Sequence, residues 1–440
     1  MSPSPTSIVT SDFLRPARLQ AEQERQLGPY LAADVRPFSD HYRPVLQRAT
    51  WPRRGPGLED LARLAVTEME NVGDPSALVL RPDAERIRQD GGRGMRLRLR
   101  AAEALGYRKQ FGRTRIDPVY KPVRWTVDEG LLLAYSAVDV ERLAEIGRRW
   151  LEAAGIRPDD SLVSMVRPGP SLAFLELELG ARRAGLSALF LPAPPSVSEL
   201  AQLRPEVLAG SADDLLRLLL GAKGDQVDVH QLRTVLAVGA PLKERDRRLL
   251  QDLAPRAAVL QAWAPAGVRS LWFECRGGTG LHTQPGAEIL EVVVPPDDRP
   301  AVRGQYGDLL WTALGWRGSA LLRLRTGLLG GVDPTVCTAC GRGSPRVRVP
   351  AFIEVLDDAD DLAEWQVELV SGPVRGRDEV IAYVAPAGRM SEARIAAVVQ
   401  GLHDRLHAQG QTVQFVVESE ADVRARVEEV GGARLVDLRE

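Results

Sequence analysis

Cysteine is scarce here: three residues in a chain of 440. That number does not suggest a secreted disulfide scaffold. No run of about 18 apolar residues occurs, so no membrane span is expected. A net charge of one sign is missing too, with 57 basic against 59 acidic residues. That balance gives no global argument for nucleic acid or an anionic membrane as partner. The opening MSPSPTSIVTSD lacks the basic-then-apolar order of a secretory signal. Residues 1–12 are expected to form a disordered tail, and a cytoplasmic location is the resulting expectation. No internal repeat or long low-complexity tract stands out, and no Ser-His-Asp or Cys-His nucleophile arrangement can be argued.

What is present is ordinary globular composition, 44% hydrophobic and 26% charged. The length allows about two or three domains with a sizeable core. Residues 13 to about 115 are rich in Arg and Leu. The spacing predicts helices over LEDLARLAVTEMENV (58–72) and AERIRQ (84–89). The basic run 93–115 reads as a solvated face with leucines turned inward. From residue 135 the pattern alternates. Helices are predicted over 138–155, 171–185 and near 196–203, 212–222 and 242–254. Strands are predicted at 161–166, 186–193, 206–211, 232–241 and 257–264. Such alternation implies right-handed βαβ units on a parallel sheet. Residues 286–312 read as β-rich. Strands at 365–372, 380–387 and 412–419, with a helix over 391–407, form a β-β-α-β unit. The expected fold class is α/β, with a large domain over 13–345 and a small C-terminal α/β domain over 346–440.

Several stretches in order carry a resemblance: HYRPVLQR (41–48), LEDLARLAVTEMENV, AYSAVDVERLAEIGRRWLEAAGIRPDD (134–160), LRTVLAVGAPL (232–242), WAPAGV (263–268), RLRTGL (323–328) and CTACGR (337–342). Together they resemble the phenylacetate-CoA ligase family of adenylate-forming enzymes over most of the chain. The resemblance implies a large N-terminal ligase-like domain and a small C-terminal domain. It also implies a nucleotide cleft near Gly239, Ala240, Pro241 and Arg325. Such enzymes activate a carboxylate with ATP and pass the acyl group to coenzyme A.

That chemistry needs a glycine-rich phosphate loop, a Mg²⁺-binding Glu, a ribose-binding Asp and a Lys on the small domain. The matching positions depart from the pattern. Val123–Gly130 stands at the phosphate loop, and only Thr126 agrees. Trp125 and Asp128 replace its glycines, and Glu129 stands at the basic position. Two carboxylates there would repel a triphosphate. Shifting the register to use Lys121-Pro122 gives Ile116–Tyr120, again without glycine. Gly267 stands for the Mg²⁺-binding Glu, Leu328 for the ribose Asp and Gly432 for the Lys. VRVPAFIEVL (347–356) runs almost directly into a helix, so most of the hinge loop is missing. Leu328 is expected to pack among apolar neighbours.

Cys275, His282, Cys337 and Cys340 form a Cys₃His set that uses every cysteine in the chain. Structural zinc takes four N/S ligands, often with two in a C-x-x-C turn. Three ordinary thiols, or an incidental disulfide, remain alternatives at this point. The resemblance implies zinc, since some members of the family hold one here. His403 and His407 share one helix face without a third ligand, and a solvent-exposed face is expected. His41 and His230 carry no constellation.

Two functions follow as expectations. The first is a noncatalytic pseudoenzyme acting as a binding, scaffold or partner protein, with structural zinc and without ATP or Mg²⁺. Its partners would be an acyl or aryl small molecule and a pathway enzyme or second copy, with neither nucleic acid nor membrane. The alternative is a divergent acyl/aryl-CoA ligase, or an acyl-adenylate-using transferase, with phosphate contacts supplied by the basic run 93–115; Arg96, Arg98 and Arg100 turned to bulk solvent would remove that supply. A purely structural subunit is a third reading.

Overall fold

Short apolar runs bounded by Ser, Gly and Pro set the frame. In the computed structural model, the described residues are 12–49, 51, 56–105, 119–128, 130–278, 280–294, 297–302, 304–371, 378–408, 412–430 and 434–438. The chain divides into two compact units. The first comprises Met1–Ile289, Trp311–Thr326 and Pro334–Arg346, and the second Leu290–Leu310, Gly327–Asp333 and Val347–Glu440.

The first unit opens its sheet region with an antiparallel hairpin, β1 (Pro122–Asp128) and β2 (Leu131–Ser136), in which Thr126 faces Leu133. Then come β3 (Ser161–Ser164), β4 (Ser187–Phe190), β5 (Val207–Gly210), β6 (Thr234–Val238) and β7 (Ala258–Trp263). They pair in parallel in the order β4-β3-β5-β6-β7. Two short strands, β8 (Trp272–Phe273) and β9 (Leu281–His282), continue the sheet in antiparallel pairing. β5 and β6 are buried along their whole length, as central parallel strands require, whereas β4 at the edge is largely exposed.

Serine N-caps begin four of the helices, whereas Glu244–Leu253 starts at Lys243 without a side-chain cap. Ser136, Ser171, Ser196 and Ser211 each accept from a backbone N–H two to three residues into the helix. Leu208, Leu215, Val235 and Leu250 form the centre of this core. Helices Ala137–Ala153 and Leu172–Ala184 meet at Gly147 and Gly180, where a Cβ on either would approach the other helix's backbone to 2.6 Å. Only glycine permits that contact.

The helix predicted over 58–72 is not formed. Two 3₁₀ turns, Leu58–Arg63 and Met69–Asn71, stand there instead. Between them Thr67 makes a parallel bridge to Leu324. Its N–H donates to the Arg323 carbonyl and its carbonyl accepts from the Arg325 N–H. Val66 and Thr67 are β-branched and suit this extended pairing. Tertiary hydrogen bonding overrides the helical spacing of the leucines. The helix predicted over 84–89 is present as Ala84–Asp90.

In the second unit a four-stranded sheet runs Val413–Val417, Asp378–Pro386, Leu362–Ser371, Leu435–Asp437. The central pair is antiparallel and the outer strands join in parallel. Helix Glu392–Ala408 lies between two of these strands in sequence, and Leu402 and Leu406 enter a core with Trp365, Val367, Ala382 and Val384. His403 and His407 lie on the exposed side of this helix with their rings stacked at 6.2 Å. Strand Arg346–Arg348 is followed, after only Val349 and Pro350, by helix Ala351–Asp357.

Among the described residues no helix is long and apolar enough to cross a membrane.

Candidate metal centre and the altered nucleotide positions

Cys275 enters the candidate metal centre from just after β8, His282 from β9, and Cys337 and Cys340 from one turn. The turn forms because Gly341 adopts φ +71°, a left-handed value that favours glycine. That conformation lets the Gly341 N–H donate to the Cys337 carbonyl at 2.8 Å. On the facing side Gly277 lies so close to Ala339 that a Cβ would collide with it. The four ligand atoms all lie within 4.8 Å of one another. Cys275, Cys337 and His282 are fully buried.

Distances discriminate between the readings of this cluster. Cys275 Sγ and Cys337 Sγ are 3.8 Å apart, and Cys340 Sγ is 3.5 Å from His282 Nε2. A disulfide needs about 2.05 Å, and all three cysteines are free. A tetrahedral site with Zn–S near 2.3 Å and Zn–N near 2.0–2.1 Å would separate S from S by about 3.8 Å and S from N by about 3.5 Å. The donor set and its spacing therefore fit a metal ion. On the far side of the imidazole, His282 Nδ1 lies 2.9 Å from Ser344 Oγ. That contact leaves Nε2 turned toward the sulfurs, the usual arrangement behind a metal-ligating histidine. A hydrogen bond to Cys340 and burial push the Cys275 thiol up, while the same bond and His282 hold Cys340 down.

The positions matched to nucleotide chemistry behave differently. Val123–Asp128, matched to the phosphate loop, is strand and not loop. Its backbone is engaged in the hairpin, and the Val127 N–H donates to the Pro170 carbonyl at 2.7 Å. Thr126 is buried, with its hydroxyl 3.5 Å from the Tyr135 hydroxyl. Asp128 Oδ2 accepts from the Gly267 N–H at 3.1 Å. Gly267 has φ +83°, and a Cβ built there would stand 2.6 Å from Leu324 Cδ2. Glu129 and Gly432 lie outside the described residues.

Gly239 also has positive φ (+99°) and donates its N–H to the Ala262 carbonyl, while Ala240 and Pro241 are exposed. Arg325 is held by Glu68 at 2.8 Å. Beside that pair lies a recess of 130 Å³ lined by His41, Tyr42, Leu64, Thr67, Glu68 and Leu322 among others. Trp263 is buried edge-on against Trp272, and Trp125 is half exposed. Leu328, in the second unit, is half-buried. It lies in strand Leu324–Asp333, between exposed Gly327 and half-buried Leu329. Arg96, Arg98 and Arg100 lie on the exposed side of helix Arg93–Ala104, and Leu99 turns inward.

Sequence reasoning missed the buried carboxylates. Glu176 accepts from Trp150 Nε1 at 2.9 Å and from the Leu271 N–H at 3.0 Å. Glu288 accepts from the indoles of Trp272 and Trp311 at 3.0 and 2.6 Å. Burial pushes Glu288 up to about 7 and Glu176 well above the carboxylate range. Their partners are distant in sequence and follow no short motif. The nearest available signal was the unusual placement of Glu176 inside the apolar helix LAFLELELG.

No family model matches the chain. It is 27% identical over 354 residues, covering 77% of this chain and 70% of the other, to phenylacetate-coenzyme A ligase of Thermus thermophilus. Among solved structures it is similar to 2-hydroxyisobutyryl-CoA ligase in an open conformation with 2-HIB-AMP and CoA. That match has TM-score 0.60 and 16% identity, covering 97% of this chain and 93% of the other. The same enzyme in its thioesterification state gives TM-score 0.56 and 17% identity, with 98% and 92% covered. The chain thus has the fold of the adenylate-forming acyl-CoA ligases, and in sequence it is similar to phenylacetate-CoA ligase.

Proposed function

We infer that this ligase-like chain does not form acyl-adenylates and works as a binding, scaffold or partner protein. The observation that carries this reading is the geometry at Gly267. The resemblance puts a Mg²⁺-binding glutamate at that position. Here the backbone is left-handed, and Leu324 fills the space a side chain would need. A side chain there would be strained by the left-handed backbone and would have to displace the Leu324 methyl. Asp128, at the matched phosphate-loop position, turns its carboxylate onto the same backbone N–H. An anion there opposes a triphosphate. Catalysis that rests on preorganised electrostatic groups does not survive the loss of several of them together.

Cys275, His282, Cys337 and Cys340 would hold one zinc ion as a closed structural site. Four protein ligands leave no open position, so the ion would supply folding energy and no Lewis acid to a substrate. An acyl or aryl small molecule is the ligand class this scaffold suggests, and a pathway enzyme or second copy the protein partner. The reading assigns no role to ATP or Mg²⁺.

The test is calorimetric titration with ATP·Mg, alongside pyrophosphate release with a panel of aryl and acyl carboxylates. No heat and no release are expected. Pyrophosphate release with any carboxylate would overturn the reading in favour of a divergent ligase. Exposure of Arg96, Arg98 and Arg100 weighs against a substitute phosphate site on that helix.

A further inference from the structure

The metal-bearing turn touches Asp12, which is buried and bonded here although it closes the stretch 1–12 expected to be a disordered tail. The Gly343 N–H donates to the Asp12 carbonyl at 2.6 Å. The Asp12 carboxylate pairs with Arg149, and its second oxygen lies 3.5 Å from Arg342 Nε. All three side chains are buried. Arg342 also reaches the Arg149 carbonyl at 3.5 Å, and its guanidinium stands 5.3 Å from the Phe13 ring. A Cβ at position 343 would collide with the Leu14 carbonyl. Within the turn, the Arg342 carbonyl accepts from the Cys337 N–H at 2.8 Å. Asp12 thus holds the residue whose backbone shapes the loop carrying Cys337 and Cys340. Burial, and after it the charge of Arg342, push Arg149 down to about 10.

We propose that Asp12 is a positioning residue for the Cys₃His centre. It neutralises two buried arginines and so fixes Arg342 and Gly343, which set the geometry of the C-x-x-C turn. The proposal rests on the zinc reading above. Without the carboxylate, Arg149 and Arg342 repel at close range in a poorly solvated site. The turn then opens to separate them, and the sulfurs of Cys337 and Cys340 lose their fixed spacing. Linkage makes the effect reciprocal: a metal that holds the turn closed also favours docking of Asp12–Leu14.

The experiment compares the full chain with Asp12→Asn and with Asp160→Asn. Asp160 is also buried, but its carboxylate is held by Arg233 at 2.7 Å and by the Arg157 N–H at 2.7 Å. Zinc affinity is measured by competition with a chromophoric chelator. The spectrum of the cobalt(II)-substituted protein reports ligand geometry. Asp12→Asn is expected to weaken zinc binding by about 10- to 100-fold, the usual range for an outer-shell partner. It is also expected to shift the cobalt spectrum. Asp160→Asn should leave both unchanged while lowering stability. Equal zinc affinity in Asp12→Asn and the unaltered chain would overturn the proposal, and so would equal weakening by Asp160→Asn. An unaltered chain that takes up neither zinc nor cobalt would overturn the zinc reading itself and this proposal with it, and that outcome is distinct from the other two.

Discussion

The Asp128 carboxylate accepts a hydrogen bond from the backbone N–H of Gly267 at 3.1 Å. Both residues stand where the resemblance puts groups that handle nucleotide phosphate and Mg²⁺, and here they bind each other. This contact uses a backbone donor and fills the space beside it with negative charge. It makes the two altered positions one local structure.

Restoring a single acid should therefore fail. Gly267→Glu places a side chain at φ +83° and against Leu324. A left-handed backbone and overpacking together are expected to cost on the order of 2–4 kcal/mol. Urea unfolding should show that loss, and pyrophosphate release should remain at background. A Gly267→Glu variant as stable as the parent would show that the space is not closed.

Metal removal tests the Cys₃His centre. The purified chain is expected to carry one equivalent of zinc by elemental analysis. Stripping it with a strong chelator should lower the melting temperature, because the ion binds the folded state and not the unfolded one. Cys337→Ser should abolish stoichiometric zinc. Ser344→Ala should retain zinc with an affinity lower by about 10-fold or more, because Ser344 holds His282 Nδ1. Unchanged affinity in Ser344→Ala would mean that the imidazole is oriented by packing alone, including its stacking on Phe273.

Glu288 gives stability a pH dependence of predictable sign. Burial raises its folded-state pKa to about 7, above an ordinary carboxylate value near 4.5. Between those two values the folded state holds a proton that the unfolded state has released. Stability from this group is therefore full below about pH 4.5 and declines until about pH 7. Glu288→Gln removes the titration while keeping a carbonyl to accept from an indole. The stability difference between Glu288→Gln and the parent should move in favour of the variant as pH rises through that window. A difference flat from pH 4.5 to 7 would contradict the assignment.

Arg325 and Glu68 supply a contrast. The pair is partly exposed, with side-chain exposures of 23% and 33%, so solvent screens it. Glu68→Gln is expected to change stability by no more than about 1 kcal/mol. A much larger loss by urea unfolding would mean that Arg325 depends on Glu68 as a buried cation would.

Much of the frame could be read directly from the chain. β5 and β6 are continuous apolar runs, and the helices between the strands carry helical apolar spacing. Both signals are short in range, so no tertiary information was needed. The Cys₃His set was also visible, because cysteine is rare and C-x-x-C is compact. Residues 58–72 show the opposite case. Their leucines repeat at helical spacing, yet Thr67 pairs with Leu324, a partner more than 250 positions away that no local window contains.

The sequence by itself determined the alternation of strand and helix, the four candidate ligands and the absence of the acidic and glycine-rich positions that nucleotide chemistry needs. Local propensity and residue identity are properties of the chain alone. Only the tertiary structure decided that Leu324 closes the space at Gly267 and that Asp128 turns onto its backbone. It also brought Asp12 to the metal turn and put Glu288 between two indoles. Those four relationships join residues from separate segments, and burial and charge at each depend on what the fold places opposite.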